Sequence, residues 1–269
     1  MRSVVGSIEV AERRNVVWIT INAPERRNAY DLEMARTMIA AIEDAAEAHA
    51  VVITGAGGSF CAGGALTELG DPDPEQLRRL FTTSARLLDT IRACPRPVIA
   101  AVDGPAAGGG NELVVACDFA IATERSTFGQ TGPKVGSAPV LGATNLMAVQ
   151  IGERRAKEMA MMCRRYSARQ ALEWGLVNEV VPDGELEAAV ERWLDEIDAL
   201  SPRYLEIAKT SSNQWWNQSK DNMAANLGAL IQAIGSEDML EGARAFLEKR
   251  KPDFRGLRRA RNVDEGRNQ

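Results

Sequence analysis

Alternating apolar and polar positions open the chain and predict a pair of β-strands. Between residues 7 and 21, apolar side chains recur at every second position on either side of a polar break. This spacing places them on one face of a strand. Three later segments, 51–54, 98–102 and 119–121, are continuous apolar runs and predict buried strands.

Apolar residues spaced three and four apart predict helices between these strands. Asp31 is placed to cap a helix whose apolar residues share one face: Met34, Met38, Ile39 and Ile42. A second helix is predicted to begin with Asp73 as its cap and Pro74 in its first turn, and to end before Pro95. Strand, turn and helix therefore recur along the chain, which favours stacked units over a Rossmann sheet.

Beyond residue 137 the pattern becomes mainly helical. Ser167 and Gln170 have the spacing of a capping box, Gly175 is placed to end that helix, and residues 176–181 predict a short strand. From residue 185 onward we expect helices broken near residues 202, 211 and 235. We predict a core over residues 1–197 and a C-terminal helical region over residues 198–269.

Length and charge limit the number of domains and the kinds of partner that we expect for this protein. The 269 residues suffice for one large domain, or for one domain and an appendage. A net charge of -5 does not favour a nucleic-acid partner. No apolar run is long enough to span a membrane, and no signal-peptide core is present at the N-terminus. We therefore expect a cytoplasmic protein with no membrane partner.

Several common kinds of active site are disfavoured. His49 is the only histidine, so a multi-histidine metal site is excluded and any nucleophile–histidine pair would have to use it. The four cysteines lack metal-like spacing, and we expect buried thiols and no metal. The chain also lacks a Gly-x-Ser-x-Gly elbow, a Gly-x-Gly-x-x-Gly opening and a Walker lysine loop.

Two glycine-rich turns carry the candidate chemistry. Residues 60–64 follow one predicted buried strand, and residues 104–113 follow the next and lead into an apolar helix. Glycine lets the main chain approach a ligand, and amides at the start of a helix are unpaired donors with partial positive charge. Two such donors on Gly64 and Gly109 could form an oxyanion hole. Glu112 follows three residues after Gly109, near enough to share the pocket.

These turns, in their order and spacing, resemble those of the crotonase (enoyl-CoA hydratase/isomerase) family. The resemblance extends over five segments: 24–29, 51–57, 60–64, 97–118 and 168–182. It implies an α/β fold, a crotonase-like spiral of ββα units followed by a C-terminal helical oligomerisation region. In such proteins that region packs against neighbouring subunits, so the resemblance also implies a homotrimer or a hexamer.

The resemblance implies an enzyme that acts on an acyl-CoA thioester. The N–H groups of Gly64 and Gly109 would hold the thioester oxygen, and Glu112 would donate or accept the proton. Ser137 is a further catalytic candidate, as a hydrogen-bond donor to the acyl group. No cofactor is expected beyond the coenzyme A of the substrate. The expected activity is that of an enoyl-CoA hydratase/isomerase of the lyase class.

The resemblance also implies positions that contact the substrate. Arg27 matches a position near the coenzyme A phosphates, and Ala62 matches one whose backbone meets the adenine. Lys249 matches a lysine that reaches the nucleotide from the C-terminal helix, and Gly132 is a further substrate-binding candidate. Bulky apolar residues of the second half are expected in the core or in an interface rather than in the acyl pocket: Met161, Met162, Trp215 and Trp216.

The chain departs from its relatives at the position of the second catalytic carboxylate. The second hydratase glutamate is replaced by Gly132. The segments 128–137, 163–167 and 249–254 instead resemble dihydroxynaphthoyl-CoA synthase and ketocyclohexanecarboxyl-CoA hydrolase. The active-site aspartate and tyrosine of those enzymes are replaced by Pro139 and Ile234. Three alternatives therefore stay open: a carbon–carbon lyase or synthase, a ring-cleaving hydrolase, and a non-catalytic acyl-CoA binder.

Overall fold

The fold is built on a six-stranded sheet and a smaller three-stranded sheet. The computed structural model describes residues 7–65, 73–142 and 144–257. Its strands are β1 (Ser7–Arg13), β2 (Val16–Asn22), β3 (Ala50–Gly55), β4 (Val98–Val102), β5 (Pro105–Ala107), β6 (Phe119–Thr123), β7 (Thr127–Gly129), β8 (Tyr166–Ser167) and β9 (Glu179–Val181). The large sheet has the order β1-β2-β3-β4-β6-β9 and the small sheet the order β5-β7-β8.

Helices cover the large sheet and make up most of the C-terminal half. They are α1 (Leu32–Glu43), α2 (Pro74–Ala93), α3 (Gly109–Ala116), α4 (Leu146–Ile151), α5 (Glu153–Met162), α6 (Ala168–Trp174), α7 (Leu186–Asp198), α8 (Pro202–Ser212), α9 (Gln214–Gln232) and α10 (Glu237–Leu247). The strands of the large sheet run parallel from β2 to β9, and only the β1–β2 pair is antiparallel.

The large sheet buries side chains on both faces. Ile53 and Ala100 belong to the core that α1, α2 and α3 cover, whereas Val52 and Ile99 pack with residues of α7 on the opposite face. Neighbouring residues of a strand point to opposite faces, which explains this division. It also explains why the central strands are continuous apolar runs, as is typical of a parallel sheet with two covered faces.

After a strand of the large sheet, the chain contributes a short segment to a second layer of paired segments. After β4 and β6 the chain forms β5 and β7, which pair in parallel. After β3, Cys61 forms a parallel bridge to Ala106 of β5, and Gly64 forms another to Tyr30. The predicted spiral of ββα units is confirmed, and the helical C-terminal part follows it.

Main-chain hydrogen bonds fix the two glycine turns side by side. The N–H groups of Phe60 and Cys61 donate to the Pro105 carbonyl at 3.1 and 3.2 Å, and Ala107 N–H donates to the Cys61 carbonyl at 2.9 Å. The two backbones are so close that a Cβ atom on Gly110 would lie 2.0 Å from the Cys61 oxygen. Residue 110 must therefore be glycine if the turns are to keep this contact.

The helix signals in the sequence are largely confirmed. The Asp31 side chain caps α1 by accepting from Met34 N–H, and Asp73 caps α2. Ser167 and Gln170 form the predicted capping box of α6, which ends at Gly175 in the left-handed conformation. One strand was predicted too long, because only Glu179–Val181 of residues 176–181 pairs with β6. The strands β5, β7 and β8 were missed because two or three residues show no periodicity.

A buried ammonium group ties the C-terminal helices to the core. Lys209 of α8 donates to the carbonyl oxygens of Ile91 and Arg96 at 3.1 and 2.8 Å. Its Nζ lies 2.6 Å from a carboxylate oxygen of Asp118, which precedes β6. Because three acceptors surround it, this buried charge is well compensated.

We predict that Lys209→Met lowers the free energy of unfolding by about 3 kcal/mol, since it leaves Asp118 without its nearest cation. The matched control is Lys157→Met, because Lys157 pairs with Glu153 on an exposed surface of α5. Urea denaturation of both variants checks the prediction. Equal midpoints for the two variants would contradict it.

We predict that Gly110→Ala lowers the free energy of unfolding by about 1–3 kcal/mol, because the new methyl group overlaps the Cys61 carbonyl. Gly228→Ala is the control, since a Cβ atom at this position within α9 has no neighbour within 4 Å. The control should gain about 0.5–1 kcal/mol from helix propensity. Thermal unfolding of the two variants measures both effects, and an unchanged Gly110→Ala protein would show that the turns are not in close contact.

Candidate active site

A cavity of about 70 Å³ lies where the two glycine turns meet. Gly64 and Gly109 line one side of it, and Glu112 of α3 lines the same space. The segment from residue 130 to residue 141 closes another side. The structure thus brings together six residues that the sequence singled out: Ala62, Gly64, Gly109, Glu112, Gly132 and Ser137.

The amides of Gly64 and Gly109 lie next to each other at this cavity. A Cβ atom on Gly109 would be 3.4 Å from Gly64 N and 3.2 Å from the Cα of Gly63. Gly109 is the first residue of α3, so its N–H has no acceptor within the helix. Within the described part of the chain, neither amide donates to another protein group. Two unused N–H groups are therefore available to a ligand.

Glu112 is held by the helix that Gly109 begins. Its side chain is only 5% exposed, and one carboxylate oxygen accepts a 2.8 Å hydrogen bond from the backbone N–H of Leu141. Leu141 also lines the cavity. This contact fixes the carboxylate against the far wall.

Two buried groups beside the carboxylate stay protonated. Burial, with smaller effects from Cys61 and Glu112, raises the pKa of Tyr30, whose hydroxyl lies 3.2 Å from the Ser84 hydroxyl. Burial also raises the pKa of the Cys61 thiol to about 12, although the Gly63 N–H bonded to its sulfur acts in the opposite sense. Because the thiolate is the nucleophilic form, Cys61 is not suited to covalent catalysis.

Gly132 lies against a folded loop. Its carbonyl accepts from the N–H groups of Val135 and Ser137 at 3.0 and 2.8 Å, which turns the chain back on itself. A Cβ atom on Gly132 would be 2.9 Å from the Cα of Ala138 and 3.0 Å from the Ser137 oxygen. Backbone therefore occupies the space that a side chain at this position would need. Among the described lining residues, Glu112 is the one with a carboxylate.

Gln130 belongs to the cavity, although sequence reasoning did not single it out. It is 1% exposed and lines the same space as Glu112. Tyr30 and the N–H of Leu141 were missed as well. The N–H of Leu141 leaves no signal in the sequence, because every residue except proline has a backbone donor. Gln130 could have been found, because it is a polar residue only two positions before Gly132, which the sequence had already placed at the site.

The residues expected to bind the nucleotide lie at and outside the rim. The N–H of Ala62 donates to the carbonyl of Arg27 at 3.0 Å, so the exposed Arg27 is next to a cavity residue. Lys249 is exposed beyond α10 and does not line the cavity. Trp216 is buried in the core as expected, and its indole N–H donates to Asp89.

The described ranges show neither a metal site nor a membrane-spanning helix. No group of three histidine, cysteine, aspartate or glutamate side chains within residues 7–65, 73–142 and 144–257 could hold a metal ion. In the same ranges, no helix combines the length and apolar character that crossing a bilayer requires. Cys61, Cys94 and Cys117 are buried thiols as predicted, and Cys163 is partly exposed.

Comparison with known proteins identifies the family. A family model described as enoyl-CoA hydratase/isomerase matches residues 11–258. An enoyl-CoA hydratase from Mycobacterium avium subsp. paratuberculosis K-10 is 32% identical, with a TM-score of 0.84 over 93% of this chain and 99% of the other. An enoyl-CoA hydratase from Bacillus anthracis is 34% identical, with a TM-score of 0.73 over 93% of this chain and 99% of the other.

A carnitinyl-CoA hydratase from Mycobacterium avium is 32% identical, with a TM-score of 0.79 over 93% of this chain and 98% of the other. The family model, the shared fold and the paired glycine turns agree with one another. This chain belongs to the enoyl-CoA hydratase/isomerase family.

Proposed function

We propose that the protein hydrates the double bond of a 2-enoyl-CoA, which makes it a lyase, and that it catalyses the reverse dehydration. One observation carries this proposal: two unused amides and one buried carboxylate line the same small cavity. The relatives are named as enoyl-CoA and carnitinyl-CoA hydratases, which supports an acyl-CoA thioester as the substrate.

The amides of Gly64 and Gly109 would act on the thioester oxygen. Attack at Cβ moves electrons toward this oxygen, which becomes an enolate oxygen carrying negative charge. Fixed donors in a site with little water stabilise such charge because they need no reorganisation, and each contributes about 3 kcal/mol in comparable sites. The start of α3 adds the positive end of its dipole.

Glu112 would transfer the proton. Its carboxylate, held by the Leu141 N–H, can accept a proton from water as the oxygen bonds to Cβ. The protonated carboxyl can then return that proton to Cα, because the enolate is the stronger base. Ser137, which lines the cavity beside Gly132, would donate a hydrogen bond to the acyl group.

Double-bond migration is a second candidate, favoured by the backbone packed against Gly132. Moving a double bond requires a proton to leave one carbon and return to another, and one carboxylate can do both. The same two amides would hold the intermediate enolate. The two reactions differ in their substrate, since migration starts from a 3-enoyl-CoA and needs no water.

Coenzyme A would be held at the rim. Arg27 is placed to meet its phosphates, since it is exposed beside Ala62, and Lys249 would reach the nucleotide from a neighbouring subunit.

We also propose that residues 198–269 mediate association into a trimer or hexamer. Large apolar side chains of this region are exposed, among them Tyr204 at 73% and Phe246 at 54%. The absence of any further cofactor stays a prediction.

We predict that Glu112→Gln lowers the rate of crotonyl-CoA hydration by at least about 100-fold, because an amide cannot accept the proton. Glu124→Gln, on an exposed turn outside the cavity, is the matched control and should retain wild-type turnover. Loss of enoyl thioester absorbance measures the rate, and product analysis with a 3-enoyl-CoA tests migration. Undiminished hydration by Glu112→Gln would overturn the proposal. Tight binding without turnover of any acyl-CoA would indicate a binder.

We predict that Gly132→Glu does not increase hydration, although it restores a carboxylate at the family position. Its Cβ atom would meet the backbone of Ala138, so the loop must shift and thermal stability should fall. Gly132→Ala, which adds only the Cβ atom, should lose a similar amount of stability. A stable and faster Gly132→Glu enzyme would show that the loop leaves room for the second carboxylate.

A further inference from the structure

Gln130 presents an unsatisfied carboxamide at the cavity. Its nitrogen and its oxygen are both shielded from solvent, and neither has a hydrogen-bond partner among the described residues. The side chain is 1% exposed, and it lines the cavity together with Glu112 and Gly132. Buried polar groups are almost always paired, so two unpaired atoms on one side chain indicate a bound molecule that is polar.

The carboxamide restricts the chemistry of that molecule. Its NH₂ group donates and its oxygen accepts, so a single partner must be able to accept and to donate. A hydroxyl group does both. A carboxylate could use only the NH₂ group, and a cation could use only the oxygen. Water and an alcohol each supply such an oxygen, and both take part in the reaction proposed above.

The position of Gln130 in the chain indicates what this oxygen does in the reaction. Gln130 follows β7 and precedes Gly132 by two residues, and backbone fills the space beside Gly132. A neutral amide thus belongs to the described wall of the cavity, two residues before Gly132, the position at which the resemblance places the family's second carboxylate. An amide cannot take a proton at neutral pH, but it can hold a hydroxyl oxygen in place while Glu112 takes the proton.

We propose that Gln130 binds the oxygen that is exchanged at Cβ, which is water in hydration and the β-hydroxyl group in dehydration. This inference rests on the proposed hydration. The amide NH₂ of Gln130 donates to that oxygen, and its carbonyl accepts one of the hydrogens. Gln130 is then a catalytic residue, because it contacts a reacting atom. It does not itself exchange a proton.

The reaction balances with one carboxylate. Glu112 removes one hydrogen of the water as its oxygen bonds to Cβ, and the π electrons move to form the enolate held by Gly64 and Gly109. The proton on Glu112 then passes to Cα, and the thioester carbonyl forms again. One water has been added across the double bond, and Glu112 is again a carboxylate.

The test compares Gln130→Met with Gln150→Met. Both replacements keep the length of the side chain and remove the amide, and Gln150 lies outside the cavity, where its nitrogen donates to the Val115 carbonyl. Two reactions are measured for each protein. Hydration of crotonyl-CoA requires the water oxygen, whereas exchange of the Cα hydrogens of butyryl-CoA in D₂O requires only Glu112 and the two amides.

We predict that Gln130→Met lowers hydration of crotonyl-CoA and dehydration of 3-hydroxybutyryl-CoA by about 10- to 100-fold, as expected for the loss of a buried hydrogen-bond partner. Cα exchange should stay within about twofold of the wild type, because it needs no water oxygen. Gln150→Met should leave both reactions unchanged. Gln130→Glu should recover part of the hydration rate, since its carboxylate can accept from the same water.

Other outcomes would overturn the inference. Equal losses in hydration and exchange would mark Gln130 as structural, and unchanged hydration would remove it from the reaction. If Gln130→Met raised only the KM of a 4-hydroxyenoyl-CoA, the amide would bind a distal hydroxyl group of the substrate instead. A wild-type protein that exchanges Cα hydrogens but does not hydrate would exclude this role and leave the enolate chemistry intact. One that does neither would reject the proposed function itself.

Discussion

Two backbone turns pack against each other, and this contact positions every group that lines the candidate active site. Hydrogen bonds from Phe60 and Cys61 to Pro105 bring the turn after one sheet strand against the turn after the next. A single methyl group at Gly110 would overlap the Cys61 carbonyl, so the contact tolerates no side chain there. Through this contact two amides that belong to different ββα units reach the same cavity, and the helix that starts at one of them supplies the carboxylate.

The surroundings of Gly132 limit what this cavity can do. The loop through Ser137 and Ala138 packs against Gly132 and occupies the space that a side chain at this position would need. The cavity therefore combines one carboxylate with neutral hydrogen-bonding groups. Such a site suits a reaction in which one proton leaves and returns through Glu112, while a neutral amide, Gln130, holds the oxygen.

Much of the fold and half of the site could be predicted from the sequence. Long apolar runs and capping residues such as Asp31 and Ser167 identify the large sheet and its helices, because each signal repeats over many residues. The short strands of the second layer could not be predicted, since their pairing depends on tertiary contacts. For the same reason the sequence predicted Gly64 and Glu112 but not the Leu141 amide that fixes the carboxylate. Backbone donors carry no side-chain signal.

The amides of Gly64 and Gly109 should together polarise one thioester oxygen. Infrared difference spectroscopy of a crotonyl-CoA labelled with ¹³C at its carbonyl, bound to the Glu112→Gln protein, measures this directly. We predict that the carbonyl stretch moves to a lower frequency than in water, because two fixed donors weaken the C=O bond. A bound carbonyl that absorbs at its frequency in water, or above it, would contradict the claim.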